Sequence, residues 1–374
     1  MTILDLFSDY AKRLRDFIRA HTHGVLSSPL QNETRFNELA LDLFALQFQH
    51  NAAYRRICEA RNVRPAMVAH WTDIPAAPTA AFKELDLTGL PPSERTTLFH
   101  SSGTTQQPPS RHFHNAHSLA IYEESLRPWF AAHLLPDVKA GERVDLLLLT
   151  PPPTLAPNSS LAHMFETVQR DVGSSHSHFA GRLDTDSTWV LDVDIAFDAI
   201  ENAVAQNRPL IILGTAFLFV NLLDALDGQG RRFTLPAGSR VMETGGYKGR
   251  TRALPRDELH ALITTRLGVS PEGIVCEYGM SELGSQAYDR VAFAPSAERR
   301  LLFPPWARSR IISPETGCEV NDGDTGLLQI FDLANVSSVL AVQTEDLAIH
   351  RGDGFELLGR AVLAEPRGCS LMTA

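Results

Sequence analysis

Apolar residues in the first 60 positions repeat at the spacing of helical turns. Leu4, Phe7, Leu14, Phe17 and Ile18 fit one face of a helix. The stretches "FNELALDLFALQFQH" and "NAAYRRICEA" repeat this pattern, and the proline-containing stretch "WTDIPAAPTAAFKELDL" then breaks it. The pattern predicts a helical N-terminal segment, residues 1–95, that packs on the rest of the chain.

From about residue 115 to residue 280, apolar runs alternate with helical stretches. The runs "RVDLLLLT", "RPLIILGT" and "GIVCEYG" have the length and composition of buried strands. "SLAIYEESLRPWFAAHL" and "TRALPRDELHALITTRLG" have helical spacing. Because such alternation is typical of parallel sheets covered by helices, it predicts an α/β core over residues 96–300.

The pattern changes after about residue 300 to short apolar runs separated by Gly, Asp and Asn. These runs are "RSRIIS", "GLLQIFDL", "SSVLAVQTEDLAIH" and "FELLGR". They predict a β-rich subdomain over residues 301–360, built as a meander or small barrel. Residues 361–374 are expected to form a mobile C-terminal tail.

Composition excludes several classes of partner and location. The 374 residues include 44% hydrophobic and 21% charged residues, and the net charge is −10 without a long Lys/Arg run, so nucleic acid is not an expected partner. Asp5, Asp9 and Asp16 interrupt the apolar N-terminus, which excludes a signal peptide, and no apolar run has membrane-spanning length. The four cysteines are far apart and form no C-x-x-C pair, so a reduced, cytoplasmic protein is expected.

The stretch "LFHSSGTTQQPPSRHFHN", residues 98–115, has the composition of an anion-binding loop. Backbone N–H groups and hydroxyls around a glycine can all face one phosphate, and Arg111 could hold phosphate oxygens through its guanidinium group. No Gly-Lys-Ser/Thr follows the glycine, so the loop is not a Walker A motif. An exposed turn is the alternative. The candidate donors are Ser101, Ser102, Gly103, Thr104 and Thr105.

Two further segments place chemistry at predicted strand ends. "VMETGGYKG" ends a strand on Gly245 and Gly246, where a flat ligand could approach the backbone, although a tight turn explains the glycines equally. "VCEYGMSELGSQAYD" places Glu282 beside the Ser281 hydroxyl, a pair that could hold Mg²⁺. Glu282 could also be a residue favoured at a helix start, and the two interpretations are compatible.

A fourth segment, "QTEDLAIHRGDGFELLGR", places Asp346 on one predicted strand and Arg360 at the end of another. An Asp at a strand end can accept both hydroxyls of a ribose, and an Arg can neutralise an acyl phosphate. A turn residue and a surface charge are the alternatives.

The order of these segments, "SSGTT", Gly-Gly, "YGMSE", "TED" and "GR", resembles the core motifs of the adenylate-forming enzymes. That superfamily includes acyl-CoA synthetases, luciferases and peptide-synthetase adenylation domains. Within it, "SSGTTQQPPSRH", "GGYK" and "GRAVLAEPRGCSL" are most similar to the LuxE-type acyl-protein synthetases of bacterial bioluminescence operons. The resemblance implies an α/β fold with an attached small β-barrel or meander, which is the large N-terminal domain of these enzymes.

The resemblance also implies roles for single residues. Thr104 and Thr105 with their neighbours would bind the ATP phosphates, Gly245 and Gly246 would border the adenine, and Tyr278 would stack on it. Glu282 would hold Mg²⁺, Asp346 would bind the ribose, and Arg360 would lie near the acyl phosphate. His163 lies in the region that often contacts the substrate carboxylate, although a lone His on an apolar helix face is commonly structural. The remaining residues assigned to the ATP site are Tyr247, Glu277, Gly279, Met280 and Ser281.

The sequence departs from the superfamily pattern in two ways. Gln106 replaces a glycine after the threonines, and Arg111 stands where a lysine is usual. The chain ends soon after Arg360, so the usual small C-terminal domain and its catalytic lysine are expected to be absent. Lys248 is a candidate for the missing positive charge.

The cysteines and histidines complete the set of candidates. The resemblance implies that Cys369 in "RGCS" accepts the acyl group, with Arg367 favouring its thiolate, whereas an unreactive tail thiol is the alternative. Cys58, Cys276 and Cys318 are expected to be core or neutral surface residues. The closely spaced histidines could bind a metal, but no further ligands accompany them; they are His112, His114, His117, His176 and His178.

The predicted activity is that of an adenylate-forming acid–thiol ligase of the acyl-protein synthetase type, with ATP and Mg²⁺. A carboxylate attacks the α-phosphorus of ATP, and a thiol then displaces AMP from the acyl adenylate. By resemblance the acid is a fatty acid and an acyl reductase is a possible partner. Two alternatives remain: an acyl-CoA or carrier-protein ligase, and an inactive nucleotide-binding scaffold.

Overall fold

The computed structural model describes residues 3–22, 28–101, 108–186, 188–246, 252–295 and 298–360. These residues form nine α-helices: α1 Ile3–Thr22, α2 Pro29–His50, α3 Ala52–Ala60, α4 Ala81–Glu84, α5 Ala116–Leu134, α6 Ser160–Val172, α7 Val193–Ala205, α8 Ala216–Gly228 and α9 Arg256–Leu267.

They also form fifteen strands: β1 Ala77–Pro78, β2 Thr97–His100, β3 Arg111–His114, β4 Asp145–Leu148, β5 His178–Phe179, β6 Gly181–Leu183, β7 Trp189–Leu191, β8 Leu210–Thr215, β9 Arg240–Thr244, β10 Ile274–Tyr278, β11 Ala287–Tyr288, β12 Ala307–Ile312, β13 Thr325–Asp332, β14 Ala341–Arg351 and β15 Gly354–Arg360.

The central sheet has six strands in the order β11-β10-β9-β8-β4-β5. Its strands run parallel except β11, which pairs antiparallel with β10. Every residue of β8 is buried because helices cover both faces of the sheet. On β8, Ile211 packs with apolar residues of α5 and α6, whereas Ile212 packs with those of α7, α8 and α9. The α/β core expected from the alternating runs is therefore present.

A second, largely antiparallel sheet follows the core in sequence. β12, β13, β14 and β15 pair successively as a meander, and β1 joins β14 in parallel through Ala77↔Val342. The apolar residues of α1, α2 and α3 share one hydrophobic cluster with this sheet, including Phe44, Tyr54 and Phe331. The N-terminal helices therefore pack mainly on the β-rich part of the chain. The domain boundaries at residues 95, 300 and 360 stay predictions.

The strand directions place the motif segments together. Because β9 and β10 are parallel neighbours, Gly245 and Gly279, which follow them, lie at the same edge of the sheet. The hairpin of β2 and β3 pairs Thr97 with His114 and His100 with Arg111, and it brackets the phosphate-loop candidate. Within the described ranges, helices long and apolar enough to cross a membrane are not found.

Candidate functional site

The base of the predicted phosphate loop is closed by two serines. The Ser110 backbone N–H donates to Ser101 Oγ at 2.9 Å, and the Ser101 N–H donates to Ser110 Oγ at 3.3 Å. Ser110 is completely buried. The loop residues themselves lie outside the described residues, and these include Ser102, Gly103, Thr104 and Thr105.

The loop base contacts the "YGMSE" segment. Ser110 Oγ lies 3.4 Å from Ser281 Oγ, and Ser281 Oγ donates to Glu282 Oε2 at 2.9 Å. His112 on β3 adds a second contact, because its Nδ1 lies 2.7 Å from the Ser281 carbonyl oxygen. Burial lowers the pKa of His112 to about 4, so the ring is neutral and its Nδ1–H donates to this carbonyl. The first and third segments therefore form one hydrogen-bonded unit.

The Gly-Gly segment is joined to the third segment by neighbouring strands. Thr244, the last residue of β9, donates its hydroxyl to Glu277 Oε2. Gly245 has a φ of 66°, which favours glycine. A Cβ atom added at Gly245 or Gly246 would meet no other atom of the described residues within 4 Å. The backbone here leaves room for a flat ligand.

The Glu277 side chain packs closely against Gly279. A Cβ at this position would lie 2.4 Å from Glu277 Oε1. The carboxylate that accepts the Thr244 hydroxyl thus occupies the space of a side chain at residue 279.

The fourth segment reaches the third through Tyr278. The Tyr278 hydroxyl donates to Asp346 Oδ2 at 2.7 Å, and Met280 Sδ lies 3.2 Å from the same hydroxyl. Arg360 Nε lies 3.8 Å from Asp346 Oδ1, on a side chain that is 82% exposed. Burial raises the pKa of Asp346, while the Tyr278 hydrogen bond and the Arg360 charge oppose that rise. The Tyr278 ring is itself buried, edge-on to Phe355.

Two predicted site residues lie apart from this unit. The side chains of Arg111 and His112 point to opposite faces of β3. Arg111 Nη2 lies 3.1 Å from Asp86 Oδ1, and both residues line a cavity of about 730 Å³. His163 on α6 lies 3.3 Å from Glu123 Oε1, with its ring next to Phe99. Their roles in binding phosphate and carboxylate stay predictions.

Tyr247, Lys248 and Cys369 lie outside the described residues.

The whole-chain comparisons agree with the motif order. A family model described as "Acyl-protein synthetase, LuxE" matches residues 16–374. This chain belongs to the LuxE family of acyl-protein synthetases. The predicted enzyme class, a ligase of the acyl-protein synthetase type, is thereby confirmed. The long-chain-fatty-acid–luciferin-component ligase of Vibrio harveyi is 24% identical over 354 residues, which cover 90% of this chain and 86% of that protein.

Solved structures show the same architecture at low sequence identity. An open conformation of 2-hydroxyisobutyryl-CoA ligase in complex with 2-HIB-AMP and CoA has a TM-score of 0.63 and 12% identity, and the match covers 87% of this chain and 70% of that one. The same ligase in its thioesterification state has a TM-score of 0.62 and 12% identity, over 89% of this chain and 68% of that one. These structures confirm the predicted adenylate-forming fold of the LuxE-family chain. The expected absence of a small C-terminal domain stays a prediction.

Sequence reasoning missed the residues that hold the "YGMSE" segment in place. Asp332, at the end of β13, is fully buried and accepts hydrogen bonds from Gly284 N at 2.8 Å, Ser285 Oγ at 2.7 Å and Ala334 N at 3.0 Å. Asn335 Nδ2 donates to the Glu282 carbonyl oxygen at 2.9 Å. The available signal was the pair of polar residues Asp332 and Asn335 in "DLAN", at the C-terminal end of the apolar run that forms β13.

Glu277 gives the LuxE-family chain a testable pH dependence. Burial raises the pKa of Glu277 to about 7, above its usual 4.5; the Thr244 hydrogen bond lowers it and the Glu243 charge raises it. The folded protein therefore keeps a proton that the unfolded chain loses, so this stabilising contribution is full below about pH 4.5 and is lost as the pH rises through about 7. Relative to Glu277→Gln, the free energy of unfolding of the wild type should fall by about 3 kcal/mol over that range.

Denaturant unfolding at a series of pH values measures this difference. Glu319→Gln, an exposed carboxylate paired with Arg310, is the matched control and should leave the pH profile unchanged. Parallel profiles for the wild type and Glu277→Gln would contradict the assigned protonation.

Proposed function

We propose that the protein activates a long-chain fatty acid with ATP and transfers the acyl group to its own Cys369 for delivery to a partner protein. The observation that carries this proposal is the hydrogen-bonded connection of the motif segments. Ser110 beside Ser281 joins the phosphate loop to the "YGMSE" segment, and Ser281 donates to Glu282. Thr244 joins the Gly-Gly segment to "YGMSE" through Glu277, and Tyr278 joins "YGMSE" to "TED" through Asp346.

In the proposed first step, a carboxylate oxygen of the acid attacks the α-phosphorus of ATP. A new P–O bond forms, the bond to pyrophosphate breaks, and an acyl adenylate results. The negative charge increases on the phosphate oxygens, so the protein contributes mainly positioning and electrostatic stabilisation. Asp346, which already accepts the Tyr278 hydroxyl, is proposed to accept the ribose hydroxyls, and Arg360 is proposed to stabilise the acyl phosphate.

Glu282 and Ser281 fit a magnesium ion chemically. Their carboxylate and hydroxyl oxygens lie 2.9 Å apart and are the hard oxygen ligands that Mg²⁺ prefers. When bound, Mg²⁺ would neutralise phosphate charge. The backbone at Gly245 and Gly246 is proposed to border the adenine, and the loop around Thr104 and Thr105 to bind the phosphates.

In the proposed second step, the Cys369 thiolate attacks the acyl carbonyl carbon. A C–S bond forms, the C–O bond to AMP breaks, and AMP leaves with the electron pair. This role rests on family membership and on the "RGCS" sequence.

Lys248 is the proposed substitute for the superfamily lysine, and His163 is the proposed contact for the acid carboxylate. The fatty acid and a luciferin component as partner are suggested by the name of the Vibrio harveyi relative. An acyl reductase as that partner is proposed from the family resemblance alone. A cytoplasmic location is part of the same proposal.

The test combines adenylation and acylation assays on the full chain. Fatty acid-dependent ATP–pyrophosphate exchange is expected, together with thioester-bound label on the chain when labelled acid and ATP are supplied. Cys369→Ser should abolish the bound label and keep the exchange. Cys318→Ser, which alters an exposed cysteine, is the matched control and should keep both.

Each other outcome overturns part of the proposal. Label released as a thioester only when CoA or a carrier protein is added would indicate the superfamily ligase alternative. Label retained on Cys369→Ser would exclude that residue as the acceptor. A lack of exchange with acids of all lengths and with aromatic acids would indicate a nucleotide-binding scaffold.

A further inference from the structure

Three polar side chains converge beneath the Gly-Gly segment, on the face of the central sheet covered by α9. They are Glu243 on β9, His260 on α9 and Cys276 on β10, and Glu243 and Cys276 are direct partners in the strand register. Cys276 Sγ lies 3.2 Å from Glu243 Oε1 and 3.7 Å from His260 Nε2. His260 Nε2 lies 3.5 Å from Glu243 Oε1.

These distances match the edges of a tetrahedral metal site. With a Zn–S bond of about 2.3 Å and Zn–N and Zn–O bonds of about 2.0 to 2.1 Å, adjacent ligand atoms lie about 3.3 to 3.6 Å apart. One sulfur, one nitrogen and one oxygen of the three side chains lie within 4.8 Å of one another. One imidazole, one thiolate and one carboxylate form a donor set that suits Zn²⁺.

The same geometry argues against a catalytic relay of thiol, imidazole and carboxylate. In such a relay one imidazole nitrogen accepts the proton of the thiol, and the other imidazole nitrogen donates a hydrogen bond to the carboxylate that orients the ring. Here His260 Nε2 faces both Cys276 Sγ and Glu243 Oε1. The three atoms therefore surround a common point.

The charges around the cluster also match a divalent cation. Arg299 Nη1 lies 3.6 Å from Cys276 Sγ, but its charge is balanced by Asp289, whose Oδ2 it contacts at 2.7 Å. In the free protein Cys276 is a thiol that donates to Glu243 Oε1. Once a metal displaces the thiol proton, the thiolate and the carboxylate together supply two negative charges. Glu243 and Cys276 are buried, with 8% and 9% exposure, and the His260 side chain is 12% exposed, so a cation here would be largely shielded from competing solvent.

We propose that Glu243 Oε1, His260 Nε2 and Cys276 Sγ bind a divalent cation of the Zn²⁺ class, with water as the fourth ligand. The site lies on the sheet face opposite the contact between Thr244 and Glu277, because side chains alternate along β9 and β10. It is therefore distinct from the proposed Mg²⁺ position at Glu282. The cation joins β9, β10 and α9 directly below Gly245, and binding releases the thiol proton of Cys276 to solvent.

Cobalt(II) is a suitable probe because a cobalt–thiolate bond gives a charge-transfer absorption band. Titration of the full chain carrying Cys369→Ser, which removes the tail thiol, is expected to give this band with one equivalent of Co²⁺, and Zn²⁺ should abolish it by displacement. Adding the substitution Cys276→Ser to this chain should remove the charge-transfer band. Cys318→Ser, which alters an exposed cysteine, should preserve it. His260→Gln should weaken Zn²⁺ binding by more than about 100-fold, beyond the loss expected for an outer-shell partner.

A second readout protects the test against misfolded variants. Zn²⁺ should raise the melting temperature of the Cys369→Ser chain and of the Cys318→Ser control, but not that of the His260→Gln variant, whose circular dichroism should remain native. Lack of a thiolate band with Co²⁺, or a band that persists in Cys276→Ser, would overturn the proposal. Because these measurements need neither ATP nor an acid, they are independent of the adenylation assays.

Discussion

Replacing Glu282 by glutamine should lower acid-dependent ATP–pyrophosphate exchange by about 100- to 1,000-fold. That loss corresponds to about 3 to 4 kcal/mol of the activation barrier. The reason is the loss of the charged oxygen ligand from the proposed Mg²⁺ position, while the glutamine oxygen can still accept the Ser281 hydroxyl. The Glu282 carbonyl still accepts Asn335 Nδ2, so the fold should be preserved.

The measurement is the exchange rate as a function of Mg²⁺ concentration. Glu282→Gln should need more Mg²⁺ for half-maximal exchange, which a purely structural role would not produce. Glu319→Gln is the matched control, since Glu319 is an exposed carboxylate paired with Arg310. An unchanged rate and Mg²⁺ requirement in Glu282→Gln would remove Glu282 from the site.

Replacing Asp332 by alanine should lower the free energy of unfolding by about 3 kcal/mol. Its carboxylate accepts two backbone N–H groups and the Ser285 hydroxyl, and buried donors without a partner cost about 1 to 3 kcal/mol each. Burial raises the pKa of Asp332 to about 6, so the charged form is itself costly and its removal recovers part of that loss. Asp332→Asn, which keeps an acceptor oxygen without the charge, should be less damaging.

Denaturant unfolding at neutral pH measures both variants. Because Asp332 holds Gly284 and Ser285, which follow the "YGMSE" segment, Asp332→Ala should also weaken ATP–pyrophosphate exchange at temperatures at which the protein remains folded. Asp324→Ala, in an exposed turn, is the control and should change stability by less than about 0.5 kcal/mol. A loss below about 1 kcal/mol in Asp332→Ala would contradict the role assigned to Asp332.

Long apolar runs made most of the fold predictable. β8 is a continuous run of six buried residues, and helices α1 to α3 have apolar residues at helical spacing. α5 was predicted although Pro128 lies inside it. β1 was missed because a strand of two residues has no period, and its pairing with β14 depends on chain segments more than 260 residues apart. Strands β2 and β3 were not predicted because "TLFH" and "RHFH" mix polar and apolar residues and lack the apolar run that indicated β4, which is equally short.

Motif order predicted which segments are linked in the site, but not how the side chains contact one another. Tyr278 and Asp346 were both candidates for nucleotide contacts, and their hydrogen bond across 68 residues depends on how the two sheets pack. Cys276 was predicted to be an ordinary core residue because it lies in an apolar run. Its polar neighbours Glu243 and His260 come from another strand and from a helix, so no local pattern indicates them.

The central claim is that the motif segments bind one nucleotide between them. A crystal structure with a non-hydrolysable acyl-sulfamoyl adenosine tests it most directly. We expect the ribose hydroxyls within hydrogen-bond distance of Asp346, the adenine beside Gly245 and Gly246, and the sulfamate between Ser281 and Arg360. An analogue bound elsewhere, with the Asp346 carboxylate not in contact with it, would contradict the account.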